Sequence, residues 1–593
     1  MKTLKLFNAV LSKPVSGAEP FISNDGIIIM PDAQWALDKI TTYYAEQKLS
    51  GKALNKTFHK SWSTILSSTR EELAIEQIRH YISTYGSDFQ DEVYIPCEEL
   101  DLPKCTLKYK VIHALTKQEL IEKSLKMLKS GMALEGTTID DILEVLTDTC
   151  GYVFTGDEGI KNKEAIIKIA DTYGIVPKDT LEFFRYIIYR ATGDSLLIKN
   201  KATVKAIKAS SFNPGPQFTI HGLEKLAAHF NRFKPLFLAF KSKCPTVINK
   251  ISKLSKTEHR PMVQSPLNTV TSTVVNWHRE YHWLESATTY SILKALIACH
   301  NRLEGQESFV YRIRNGKSWT TEKSTKNAPV TNYRALLDYL KKTHSFEGKK
   351  FYIPDGVEYA IPTSEKMYIG NVPTGTKFYA DKMAVGIYWE NSWGARDHDI
   401  SGVNLNGKVG WNSNYSQRGM LAYSGDLTDA IYGAVEYLYA DKGLTTPTLV
   451  KNNVYCGKDD AGYSIIIGKG DGVTRKYMMN PDNLMASIRT NSVSRQTYLG
   501  AFLPEESGQS FVLLNTGSGG LRVSGNSEQS KVATDALLQQ YKDPFSFNKL
   551  IEELGGEIVT ESEEVDYDLS LDSLEKDTFI SILEEAKEIE ENT

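Results

Sequence analysis

Residues 397–426 read DHDISGVNLNGKVGWNSNYSQRGMLAYSGD. The stretch opens on Asp397 and Asp399, two apart, followed by Ser401, and closes on Ser424, Gly425 and Asp426. In an extended chain, residues two apart lie on one side, about 6 to 7 Å from each other. Two carboxylates so placed, faced by a third from a second loop, suit a hard divalent cation. Ca²⁺ takes six to eight oxygens, mostly from carboxylates and backbone carbonyls on adaptable loops. Glu436, ten residues after Asp426, is a further acid for such a shell. Asp, Ser, Asn and Gly are also the residues that turns between strands require. Either reading makes this part of the chain a series of strands.

The flanking sequence agrees. From Phe351 apolar residues alternate with polar ones, and Gly, Pro, Asn and Asp recur every several residues. KMAVGIYWE (382–390), GYSIIIGKGDG (462–472), QTYLGAFLPE (496–505) and QSFVLLNTGSGGLRVSG (509–525) read as strands joined by turns. Short strands at this spacing predict a β-sandwich over 350–525. One segment, SGDLTDAIYGAVEYLYADKG (424–443), reads as a helical insert. GKGDG (468–472) and TGSGG (516–520) lack the spacing of a phosphate-binding loop and read as hairpin turns.

Residues 1–345 read mainly as helix. PDAQWALDKITTYYAEQKL (31–49) starts on Pro31 and Asp32, and TKQELIEKSLKMLKSG (116–131) has Thr116 as N-cap and Gly131 as stop. TTIDDILEVLTDTCGYV (137–153) and NKEAIIKIADTYGIVPKDTLEFFRYIIYRATG (162–193) continue in that style. No repeat period emerges, so a regular solenoid is not expected. The chain returns to helix over 530–593, with Leu571, Leu574, Ile582, Leu583, Ala586 and Ile589 on an acidic background. This pattern fits a segment docked on the body or on a partner, or a frayed tail. The fold class expected is therefore α+β and multidomain: a helical region, a β-sandwich and an acidic helical tail.

At 593 residues the chain is too long for one ordinary core. No apolar run approaches the roughly 18 residues of a membrane span, and the N-terminus lacks a signal-peptide pattern. Six cysteines (Cys97, Cys105, Cys150, Cys244, Cys299, Cys456) are scattered without a CxxC pair, as expected of free thiols in a cytoplasmic protein.

The formal net charge of −4 hides an asymmetry. Residues 551–593 hold 16 Asp/Glu and 2 Lys, while Lys199–Arg260 holds 13 Lys/Arg and 2 Glu. Lys199, Lys201, Lys205, Lys208, Arg232, Lys234, Lys241 and Lys243 form the electrostatic footprint of a phosphate-backbone binder. If exposed, Phe212, Phe218, Phe230, Phe233, Phe237 and Phe240 would stack on single-stranded bases. Their helical spacing points instead to a core. A third reading lays the acidic tail across the basic segment. WHREYHWLE (277–285) sets His278 and His282 four apart with Glu285 a turn on. It is not the HExxH pattern, and packing through Trp277, Tyr281 and Leu284 explains it better than zinc.

The order DxDxS, a Gly-bearing strand, SGD and then Glu436 resembles the TerD-type domain of tellurium-resistance and stress-response proteins. Asp397, Asp399 and Ser401 match its first element; Ser424, Gly425 and Asp426 match its second. Only Glu436 of GAVE stands for the third, whose preceding acids are missing. The resemblance covers roughly 350–525 and implies a β-sandwich binding calcium through those acids, here at one site. FRYIIYRATGDSLLIKN, FNRFKPLFLAFK and NKISKLSKTEHRPM are similar to the helical region of large bacterial proteins that end in such a domain. The resemblance implies a non-enzymatic scaffold or adaptor in a stress-response or phage-related assembly, acting through a protein partner or self-association. The alternatives are a nucleic-acid-binding protein, a phage-encoded structural or assembly protein, and a hydrolase whose site is not visible in sequence.

Overall fold

The computed structural model describes residues 1–14, 19–23, 26–47, 49, 51–56, 110–261, 265–305, 308–312, 318–322, 328–471, 479–517, 541, 543–561 and 564–588. It is a mixed α+β structure with several sheets.

The largest β element is a pair of sheets, whose strands are numbered here in chain order. They are β1 (Val357–Glu358), β2 (Lys377–Ala380), β3 (Met383–Trp389), β4 (Ala395–Asn404), β5 (Gly407–Val409), β6 (Ser416–Gln417) and β7 (Leu421–Tyr423). There follow β8 (Ala434–Ala440), β9 (Thr448–Gly457), β10 (Gly462–Lys469), β11 (Leu484–Asn491), β12 (Gln496–Glu505) and β13 (Gly508–Gly517). One sheet runs β5-β4-β9-β12-β13-β2-β1 and the other β6-β7-β8-β3-β10-β11. Every pairing within them is antiparallel.

Their facing sides share one core, with Ile400, Val450, Phe502 and Phe511 from the first sheet and Val385, Ile387, Trp389, Leu438 and Ile465 from the second. The second sheet is covered on its outer side as well. Leu54 packs there with Tyr388, Val435, Tyr437, Tyr439 and Met479. The Tyr437 hydroxyl donates to the Leu54 carbonyl at 2.7 Å, and Asn55 exchanges two hydrogen bonds with the Met479 backbone.

That double cover explains one misread element. AVEYLYA, expected inside a helical insert, is the strand β8, and all seven of its residues are buried. A strand covered on both faces has no polar side to alternate with, so its apolar run imitates a buried helix.

The N-terminal half, expected to be mainly helical, also contains a sheet. Ala9–Leu11, Lys110–Leu115, Ile27–Ile29 and Phe21–Ile22 form a four-stranded sheet in that order, and Lys110–Leu115 is parallel to both its neighbours. These strands are at most six residues long, and Lys110–Leu115 finds both its partners at a wide sequence separation, so no local pattern announces it. The helices largely fall where capping chemistry put them. Thr116 caps Lys117–Lys129 in a reciprocal capping box with Glu119. Asn162 and Asp179 cap Lys163–Tyr173 and Thr180–Thr192, and each helix ends on a left-handed glycine, Gly174 and Gly193.

Seven helices from Lys163–Tyr173 to Pro245–Glu258 build a phenylalanine-rich core of their own. Ile167 and Ala170 of the first helix lie in it, while Ala165 and Ile169 lie in the main core, so that helix joins the two.

The C-terminal segment is docked. Phe579, Ile580, Ile582, Leu583 and Ala586 of helix Thr578–Glu588 are buried in the main core, as is Leu574; Leu571 is partly buried against it. Ile589 lies outside the described residues. Glu557–Val559 and Tyr567–Asp568 flank Lys350–Tyr352 in a three-stranded parallel sheet. Residues 350–352, expected at the start of the sandwich, therefore belong with the tail, and the paired sheets begin at Val357. Among the described residues no helix is long and apolar enough to cross a membrane.

Candidate metal centre

Strand β4 delivers two of the acids. His398 turns into the core, where its Nδ1 is 3.1 Å from the Asn452 Oδ1 and its ring lies against Trp389 and Tyr463. Asp397 and Asp399 take the opposite side. The pairing of β4 with β9 is irregular between Ala395 and His398, which places Asp397 opposite Cys456. Both carboxyl-bearing residues are buried, Asp397 at 6% and Asp399 at 3% exposure.

The third acid comes from the loop after β7, and each residue of Ser424-Gly425-Asp426 has a separate task. The Ser424 N–H donates to the Tyr437 carbonyl, and its hydroxyl accepts from the Tyr437 N–H at 2.9 Å, tying the loop to β8. Gly425 adopts φ +114°, which side chains resist, and turns the chain. Asp426 is thereby brought to β4. Asp397, Asp399 and Asp426 each offer a carboxylate oxygen, and the three lie within 4.8 Å of one another.

The electrostatics are those of a cluster that nearby cations compensate only in part. Burial, then the charges of Asp399 and Asp426, push the Asp397 carboxyl up to about 7. Burial chiefly, with Asp426 adding to it, pushes Asp399 up to about 6, although Asn453 donates to its Oδ2 at 3.0 Å. Burial raises Asp426 as well. Lys408 and Lys451 are close enough to Asp399 to lower it, but neither forms an ion pair with it. Asp397 Oδ1 and Asp426 Oδ1 are buried without any hydrogen-bond partner among the described residues. Buried carboxylate oxygens with no donor carry a full desolvation penalty.

These residues fit a divalent cation on two counts: the donors are all hard oxygens, and two of the carboxylates carry an orphaned oxygen.

Glu436 and Ser401 were expected in the same shell. Glu436, on β8, is fully buried but lies outside the group of three. Its Oε2 accepts from the Ile400 N–H at 3.1 Å and its Oε1 from the Leu427 N–H at 2.9 Å. It clasps the edge of β4 and the Asp426 loop onto the other sheet, and burial holds it well above the usual carboxylate range. Ser401 is buried on β4 against Gly410, where any added side chain would meet it at 2.8 Å.

The other candidates fall apart from this centre. Lys199, Lys201, Lys205, Lys208, Arg232, Lys234 and Lys241 are exposed on the helical module, and Lys243 is half-buried. Phe218, Phe230, Phe233, Phe237 and Phe240 are its core and Phe212 packs on it, so none stands free to stack on a base. His278, His282 and Glu285 are exposed, and among the described residues they belong to no metal-like group. Trp277 donates to Asn332 at 3.1 Å, Leu284 is buried and Tyr281 packs edge-on against Tyr339, so packing accounts for that helix.

Among the described cysteines Cys150, Cys244 and Cys299 are buried thiols and Cys456 is exposed; Cys97 and Cys105 lie outside the described residues. A second cluster, His300, Glu304 and Asp543, went unnoticed in the sequence because Asp543 lies far along the chain. It is largely exposed, and Lys549 pairs with Asp543 at 2.7 Å.

No protein-family model matches the chain, and no curated protein matches it.

Proposed function

We propose that the paired sheets are a TerD-type β-sandwich that binds one Ca²⁺ through Asp397, Asp399 and Asp426, within a non-enzymatic cytoplasmic scaffold. The observation that carries this is the convergence of two buried carboxylates and a half-buried one from two separate segments, two of them with an orphaned oxygen. A cation there would supply the positive charge that the cluster lacks. The residues themselves do the rest. Asp397 and Asp399 hold one side from a rigid strand, Asp426 closes the other from the loop, and Glu436 fixes the distance between them through its two backbone bonds. One ion rather than two is proposed because Glu436 is committed to those bonds and the acids that would precede it in a TerD-type third element are absent.

Cation binding would rigidify the loop over residues 424–430 and so present a defined surface to a partner. The stress-response or phage-related setting rests on the resemblance in sequence. Isothermal titration of the metal-stripped protein tests the reading. Ca²⁺ is expected to bind at a stoichiometry of one and more tightly than Mg²⁺, with binding lost in Asp399→Ala and Asp426→Ala. No heat with either ion, or unchanged binding in both variants, overturns it. Light scattering with and without Ca²⁺ separates partner recruitment from self-assembly.

A further inference from the structure

We propose that the helical module formed by residues 163–260 is a nucleic-acid docking surface that reads the phosphate backbone of a duplex and not its bases. Lys199–Arg260 contributes thirteen Lys/Arg against Glu224 and Glu258. Among the described residues none of the thirteen forms an ion pair, whereas lysines across the rest of the molecule commonly do. The unpaired charge is also ordered. Lys201, Lys205 and Lys208 stand at i, i+4 and i+7 on helix Lys201–Ala209, one exposed stripe opposite the face that buries Ile207. Lys250, Lys253 and Lys256 climb the exposed side of Pro245–Glu258. Arg260 is held beside helix Leu223–Phe230, where its N–H donates to the Ala228 carbonyl, and Arg232 follows the end of that helix.

Two observations select the partner. The chain's own polyanion is engaged elsewhere. Glu553, Asp566, Asp577 and Glu585 of the tail pair with Lys341, Lys349, Lys123 and Lys126, at 2.5, 3.0, 2.7 and 3.4 Å, and among the described residues no acid of the tail pairs with a lysine or arginine of the basic module. The aromatic residues interleaved with the lysines are packed inside. Single-strand binders need aromatic faces for stacking. A surface offering lysines without aromatics recognises phosphates, whose spacing a rigid duplex fixes.

The test is fluorescence anisotropy of the full chain with a labelled duplex of about 20 base pairs, as DNA and as RNA, and with the matching single strand. Salt is varied between about 50 and 200 mM. Both duplexes are expected to bind whatever their sequence, more tightly than the single strand, and to weaken at least tenfold over that salt range, as release of a few counterions requires. Lys201→Gln/Lys205→Gln/Lys208→Gln should reduce the slope of log affinity on log salt by about 2 to 3. A matched control, Lys117→Gln/Lys129→Gln/Lys442→Gln, should leave it unchanged. Circular dichroism of both variants establishes folding. No duplex binding at low salt, equal loss in the two triple variants, or preference for the single strand overturns the proposal. So does binding to phosphatidylserine vesicles in place of duplex. Because the assay needs no Ca²⁺, its result is independent of the metal centre.

Discussion

At Asp397 burial and like charge act in the same direction. The carboxyl titrates near 7 in the folded chain, against about 3.9 unfolded. Between those values the metal-free folded state holds a proton that the unfolded state has released. This group therefore makes stability fall as pH rises from about 4 to 7. Asp397→Asn is expected to stabilise the metal-free protein at pH 7.5 by about 1 kcal/mol, read from chemical denaturation in EDTA, while removing the response to Ca²⁺. A destabilised metal-free variant would show that the carboxylate is compensated by groups of the protein itself. Protons and cation compete for the same oxygens, so Ca²⁺ affinity should weaken as pH falls below about 7.

His344 carries the opposite sign. Burial against Thr289 and Thr343 holds it down to about 4. Its contribution is complete above about 6.5 and is lost as pH falls towards 4, by at most about 3 kcal/mol. The shape of a stability profile with and without His344→Gln checks this.

The pairing of Asp397 with Asp399 was legible from spacing alone, because a strand repeats every two residues. The role of Glu436 was not, since it depends on which sheet β8 joins.

Among elements, the loop after β7 shows how little local sequence is needed to set a site. Ser424 bonds twice to Tyr437, and Gly425 makes the turn at φ +114°. Gly425→Ala is expected to cost about 1 to 3 kcal/mol and to weaken Ca²⁺ binding without removing any carboxylate. Titration calorimetry beside a denaturation curve separates the two effects.

The C-terminal helix is a second case. Leu583 lies at 1% exposure in the main core. Leu583→Ala should cost about 2 to 5 kcal/mol and make the last turn susceptible to proteolysis, as expected of a docked element and not of a frayed one. Capped helices such as Lys117–Lys129 were legible because Thr116 and Glu119 are local signals. The four-stranded N-terminal sheet was hidden because its central strand, Lys110–Leu115, finds its partners some eighty or more residues back. The strand β8 was hidden because Leu54 and its neighbours cover its outer face, removing the alternation that marks a half-exposed strand.

Over the whole molecule, charge is sorted more sharply than the net value suggests. The acidic end is folded back and in part neutralised by lysines of the helical half, the basic module faces outward, and the three aspartates form a separate, largely buried negative centre. Composition foretold the first two regions but not their separation, because which charges pair is a property of the tertiary fold. The mixed α+β class was legible from the change of periodicity near residue 350, and the tail strands that join Lys350–Tyr352 were not. The basic module and the aspartate centre each have an expected ligand, and the aspartates make the stronger demand, since two of their oxygens have no donor among the described residues.

The most direct test of that demand is a thermal melt of the full chain in EDTA, in Ca²⁺ and in Mg²⁺, repeated on Asp399→Ala and Asp426→Ala. A ligand that binds only the folded state adds RT ln(1 + [L]/Kd), about 2.7 kcal/mol at a hundredfold excess over Kd. The account predicts an upward shift with Ca²⁺, a smaller one with Mg²⁺, and none with either ion in the two variants. Superimposable melts of the unmodified chain in all three conditions would contradict it.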